Sequence, residues 1–315
     1  MEAVPRLAQH IRDEMGKAVV GQADLKTHCL IALLCQGHAL LEGVPGIAKT
    51  LAIKTLSRLL RLDFQRVQCT SDLMPADIMG TNVLNIASST FQLHKGPVFT
   101  HLLLVDEVNR MPPRTQAALL ECMEERQVTI DGERHDLSPF FTVFATQNPV
   151  DFEGTYPLPE AQLDRFLVKI RVPYPQASEE VQLLANVQTG FDSHDLDAVG
   201  LSPIDAELLE RARQELKTVN VQESLFTYVV QLVRRTRDWP ALSLGASPRA
   251  AVSLMQFAKA VAALDGRDYL IPDDVKQSAL PVLRHRIVVK PEADLEGITA
   301  DQVLQDLVRA VEVPK

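Results

Sequence analysis

The chain has 315 residues, 46% of them apolar, with 41 acidic against 32 basic side chains and a formal net charge of -9. That length and composition suit two domains with their own cores and exclude a disordered chain. The acidic balance supplies no overall basic footprint for nucleic acid or an anionic membrane.

Residues 1–16 carry acids and bases on a helical pattern without an apolar signal core, and no window reaches the length of a membrane span, so a cytoplasmic protein is expected. Between residues 20 and 175, apolar runs of strand length at 38–41, 64–69, 101–105, 140–146 and 167–172 alternate with helical stretches. That alternation predicts an α/β layer around a parallel five-stranded sheet. After Pro173, Tyr174 and Pro175 the strand signals largely stop. Helical periodicity then runs through 179–189, 204–219, 225–237, 248–264 and 272–287. The expected organisation is an α/β domain at 1–190, including the N-terminal helix, and a smaller all-helical domain at 200–315, with 188–200 as the loop between them. Two hairpins interrupt the α/β part. One pairs 128–130 with 133–135 around Asp131-Gly132, a dipeptide suited to a tight turn. The other pairs 82–86 with 90–94 around 87–89, where an irregular surface loop is the alternative.

The first strand runs into Gly43, Val44, Pro45, Gly46, Ile47, Ala48, Lys49 and Thr50, with Leu51 opening the helical run behind them. This fits G-x-x-x-x-G-K-[ST] except that Ala48 replaces the second glycine. In such a loop successive N–H groups cradle phosphate, Lys49 reaches the β and γ phosphates, and Thr50 ligates Mg²⁺. The strand at 101–105 ends in Asp106 and Glu107, at the sheet edge where α/β proteins bind ligands. Asp106 suits a magnesium ion, directly or through water, and Glu107 suits the water that attacks the γ-phosphate. The strand at 140–145 ends in Thr146, Gln147 and Asn148. Asn148 either orients that water or simply opens a turn before Pro149. Cys29, Cys35, Cys69 and Cys122 form no C-x-x-C pair and no His cluster accompanies them, so reduced core cysteines are expected rather than zinc or disulfides.

These motifs, in this order, resemble an AAA+ ATPase of the MoxR family over nearly the whole chain. The resemblance extends to the helix-2-insert clade that also holds magnesium-chelatase ATPase subunits. It makes 43–50 the Walker A loop, Asp106 and Glu107 the Walker B acids and Asn148 the sensor 1 residue. It places Val20, Gly21 and Gln22 at the adenine pocket, and it implies ATP and Mg²⁺ as cofactors. The two hairpins match the helix-2 and pre-sensor 1 inserts. Arg165, in Leu163-Asp164-Arg165-Phe166, becomes the arginine finger toward a neighbour's γ-phosphate, with a salt bridge to Asp164 or Glu160 as the alternative. Arg249 resembles the sensor 2 residue of the lid, and a physical argument joins it. Ser247 can cap a helix that begins at Pro248, so Arg249 falls in a first turn whose macrodipole disfavours a cation unless an anion is near. Lys95, Arg114, Arg126 and Arg134 either line a pore or form a solvated face.

The resemblance implies a hexameric, ATP-hydrolysing homo-oligomer. Its role would be chaperone-like, in maturing protein complexes or inserting metal cofactors, with a partner that carries a von Willebrand factor A domain. Two other readings stay open: the ATPase subunit of a metal chelatase, and an ATP-binding assembly switch with little turnover.

Overall fold

Alternating side chains divide the central strands between two apolar faces, and the fold follows from covering both. The computed structural model describes residues 1–87, 89–149, 154–193 and 195–314. In chain order, α1 (Ala3–Ala18) and α2 (Ala23–Leu34) precede β1 (Ala39–Glu42), and α3 (Lys49–Leu60) leads to β2 (Phe64–Gln68). A short α4 (Pro75–Met79) enters the hairpin of β3 (Gly80–Asn85) and β4 (Thr90–Lys95); Ser88 of its turn lies outside the described residues. Then come β5 (Leu102–Asp106), α5 (Pro113–Glu125), the hairpin of β6 (Gln127–Ile130) and β7 (Glu133–Asp136), β8 (Thr142–Gln147), α6 (Glu160–Leu163) and β9 (Val168–Arg171).

The sheet is parallel, in the order β2-β5-β8-β1-β9. Its strands sit within two residues of the apolar runs that predicted them. Leu102 and Leu104 of β5 join a core with α1, α2 and α3, whereas Leu103 and Val105 join another with α5 and the β6 strand. This is the period-2 alternation of a strand covered on both faces. Full burial of each such leucine contributes about 1.5–3 kcal/mol. His38 ties the second face together: one ring nitrogen accepts from the Val143 N–H at 2.9 Å and the other donates to the Met123 carbonyl at 3.0 Å. Burial pushes its pKa down to about 4, which keeps the ring neutral.

Both predicted hairpins form. Asp131 and Gly132 have φ of 50° and 84°, as a tight hairpin turn requires. The C-terminal part contains α7 (Ala177–Gln188), α8 (Ala206–Lys217), α9 (Glu223–Arg237), β10 (Leu242–Leu244), α10 (Pro248–Leu264), α11 (Pro272–Leu283), β11 (Val288–Val289), α12 (Pro291–Leu295) and α13 (Ala300–Ala310). It is helical apart from the small β10–β11 ribbon. The helix expected over 272–287 stops at Leu283. Pro281 lacks an N–H for the last turn, and the chain turns away so that His285 and Arg286 can bond the strand-side backbone. α1 packs on α8, α3 and α10, and α11 packs on β9, so one apolar core runs from the sheet into the lid helices.

Candidate active site

The carboxyl ends of β1, β8 and β5 lie side by side, so the residues that follow them converge on one cleft of about 840 Å³. Gly43 follows β1 because no side chain fits there: a Cβ would meet the Val172 carbonyl oxygen at 2.7 Å. Gly46, with φ of 83°, turns the loop back toward α3. Pro45, Gly46, Ile47, Ala48, Lys49, Thr50 and Leu51 all line the cleft. Gly43 and Val44 lie at its base, where their carbonyls accept from the Lys49 ammonium, the latter at 3.0 Å. Burial pulls the Lys49 pKa down, and the charges of Asp106 and Glu107 push back. Ala48 occupies the position before α3 with φ of 65°, and no side chain among the described residues caps that helix start. The first-turn amides of α3 are therefore left for an anion.

Asp106 is held rigidly. Its Oδ1 accepts from the Thr146 hydroxyl at 2.8 Å, and its Oδ2 from Arg66 of β2 at 2.8 Å. Thr146 also accepts from the Glu107 N–H at 2.9 Å, fixing that residue at φ of 58°. The Glu107 carboxylate accepts from Gln68 Nε2 at 3.1 Å and lies 3.1 Å from Arg110 Nε. Asn148 lines the same cleft, beyond Thr146. The sequence reading passed over Arg66 and Gln68 and gave Thr146 no role of its own. Their signal lay in strand register, since Gln68 pairs with Asp106 across β2 and β5. Val20 and Gln22 line the far end of the cleft, and Gln22 Nε2 donates to the Pro173 carbonyl at 3.0 Å. Gly21 opens instead on hollows behind it, beside Lys26.

Arg165 and Arg249 line a separate hollow of about 430 Å³ and not this cleft. Arg165 pairs with neither Asp164 nor Glu160: its Nη1 donates to the Leu120 carbonyl at 2.8 Å and lies 3.1 Å from Glu124 Oε2. Ser247 caps α10 as its sequence suggested, and Arg249 in the first turn of that helix pairs with Glu124 Oε1 of its own chain. Those bonds hold the Glu124 carboxyl below the usual carboxylate range, Arg249 first. Arg126 is half-buried here, donating to the Gln36 and Phe141 carbonyls.

Residues 38–168 match the model of the ATPase family associated with various cellular activities (AAA), and residues 234–307 match the AAA lid domain. The chain is 40% identical to Chaperone MoxR1 of Mycobacterium tuberculosis, over 96% of this chain and 81% of that one. It is 30% identical to Protein MoxR of Methylorubrum extorquens, over 96% and 93%. The chain belongs to the MoxR family of AAA+ ATPases. The same fold is seen in a crystal structure of a candidate ATPase from Cytophaga hutchinsonii, at a TM-score of 0.89 and 41% identity, covering 100% of this chain and 98% of that one. Membership in the MoxR family carries nucleotide binding with it, and the side chains suited to phosphate converge at Lys49.

Proposed function

We propose that this chain is a magnesium-dependent ATPase whose active sites are completed between copies, in a ring that remodels a client protein. The observation that carries this reading is the division of the machinery. Lys49, Thr50, Asp106, Glu107 and Asn148 share one cleft, while Arg165 and Arg249 share another hollow. A cation that serves the γ-phosphate from there serves a neighbour's. Val20 and Gln22 would flank the base, and the α3 amides with Lys49 would hold the phosphates. Glu107 would polarise the attacking water, with Asn148 orienting it. Magnesium keeps most of its waters and needs few protein oxygens. The Thr50 hydroxyl and the fixed Asp106 carboxylate fit that sparse set, and the bound ion would neutralise charge on the β and γ phosphate oxygens. A hexamer, a cytoplasmic location, a partner with a von Willebrand factor A domain and a role in complex maturation or metal insertion belong to the same proposal. The likeness to a chaperone-named relative supports the chaperone-like part of it. No helix among the described residues is long and apolar enough to cross a membrane.

The test is the rate of ATP hydrolysis per chain as protein concentration rises over about three decades, with mass measured alongside. The expected result is a rate that climbs as rings assemble. Glu107→Gln and Arg165→Ala should each bind ATP and lose turnover, the latter by on the order of 10³. Turnover of Arg165→Ala equal to the unaltered chain would remove the shared site.

A further inference from the structure

We propose that Glu124 and Asp164 are positioning residues that make Arg165 and Arg249 one preset pincer for a single anionic group of a neighbouring copy's nucleotide. The inference rests on the shared-site reading and adds what holds the shared side in shape. Each oxygen of the Glu124 carboxylate takes one of the two guanidinium groups, so the arginines are spaced to bracket one small anion. Both remain reachable, with side chains 32% and 47% exposed. Among the described residues, the contacts use Nη1 of Arg165 and Nη2 of Arg249. The other N–H groups of each fork are left for a further acceptor. Arg126 adds a third cation to the same hollow. Glu124, Asp164 and the negative end of α5 offset the three guanidinium groups only in part, because Asp164 also serves Arg286, so the hollow keeps a surplus of positive charge.

The backbones are registered by the second carboxylate. Asp164 accepts from the Ser247 hydroxyl at 2.8 Å and from Arg286 Nε at 2.8 Å. Arg286, fully buried, also donates to the carbonyls of Phe166 at 2.7 Å and Leu167 at 3.1 Å, and to the Ser253 hydroxyl of α10 at 3.1 Å. Arg165 is thus gripped on both sides, and Ser247, two residues before Arg249, shares the grip. The loop with Arg165 and the helix with Arg249 cannot drift apart without breaking it. A displacement of about 1 Å in a reacting group costs on the order of 10²-fold in rate, which sets the scale of the effect.

The experiment mixes chains. A Glu107→Gln chain is silent at its own cleft but carries both arginines, and an Arg165→Ala chain has an intact cleft but lends no finger. Their mixed rings should regain turnover. Replacing the first by a Glu107→Gln/Glu124→Gln chain should lower the regained turnover roughly 10- to 100-fold with the Michaelis constant for ATP unchanged. That double variant should bind a fluorescent ATP analogue and melt as Glu107→Gln does. Glu124→Asp in the same background keeps the charge but shortens the reach, and gives a loss of its own even if the Gln variant folds poorly. Full regain with either variant would overturn the positioning role. Rings that mix by mass yet regain nothing in the first pairing would overturn the shared site itself, and this inference with it.

Discussion

Ala48 stands at φ of 65° where phosphate loops of this pattern carry glycine. The left-handed region costs an L residue roughly 1–2 kcal/mol, and glycine gives back about 0.5–1 kcal/mol through its freer unfolded chain. Ala48→Gly should therefore raise the stability by up to about 1.5 kcal/mol, seen as a higher urea midpoint at unchanged slope. A lower midpoint would mean that the methyl group's packing against the core outweighs the strain. The departure at Ala48 was visible in the sequence because the motif around it is rigid in spacing. Glu124 was not, since an acid among Glu121 and Glu125 near a helix end looks like any solvated face. Arg66 and Gln68 were hidden for a related reason: a strand names its partners only once its register is known.

The elements were more legible than the residues between them. The three inner strands, β1, β5 and β8, are buried on both faces almost throughout, so their positions could be read to within two residues. The three-residue β10 and two-residue β11 gave no comparable signal, and the end of α11 was masked by apolar spacing that continues past Pro281 into 284–287. What that peeled-off segment supplies is Arg286, 1% exposed at its side chain and balanced by Asp164. Removing one partner of a buried pair costs about 3–5 kcal/mol, because the other charge stays uncompensated. Asp164→Ala should destabilise the chain by an amount in that range, measured by equilibrium denaturation. A loss within about 0.5 kcal/mol, as at an ordinary surface site, would show that the backbone carbonyls satisfy Arg286 alone.

For the whole molecule, α1, α2, β9 and the lid helices bury a common apolar surface across the boundary that the sequence placed between 190 and 200. A chain cut after residue 199 would expose the faces of α1 and α2 that α8 and α10 cover. It should bind a hydrophobic dye strongly, and the intact chain should unfold in one calorimetric transition. Two separated transitions would argue for independent domains. The four cysteines add a native means of following this. Burial pushes the Cys69 and Cys122 thiols up to about 12, and likewise that of Cys35, while Cys29 is fully buried. Thiolates are the reactive form, so a thiol reagent at neutral pH waits on opening of the structure to reach the buried Cys29, Cys69 and Cys122. Cys29 belongs to the core under the lid, and Cys69 and Cys122 to the core beneath α5. The chain thus carries a built-in clock for each side of its sheet, and comparing the two labelling rates reads whether the halves open together.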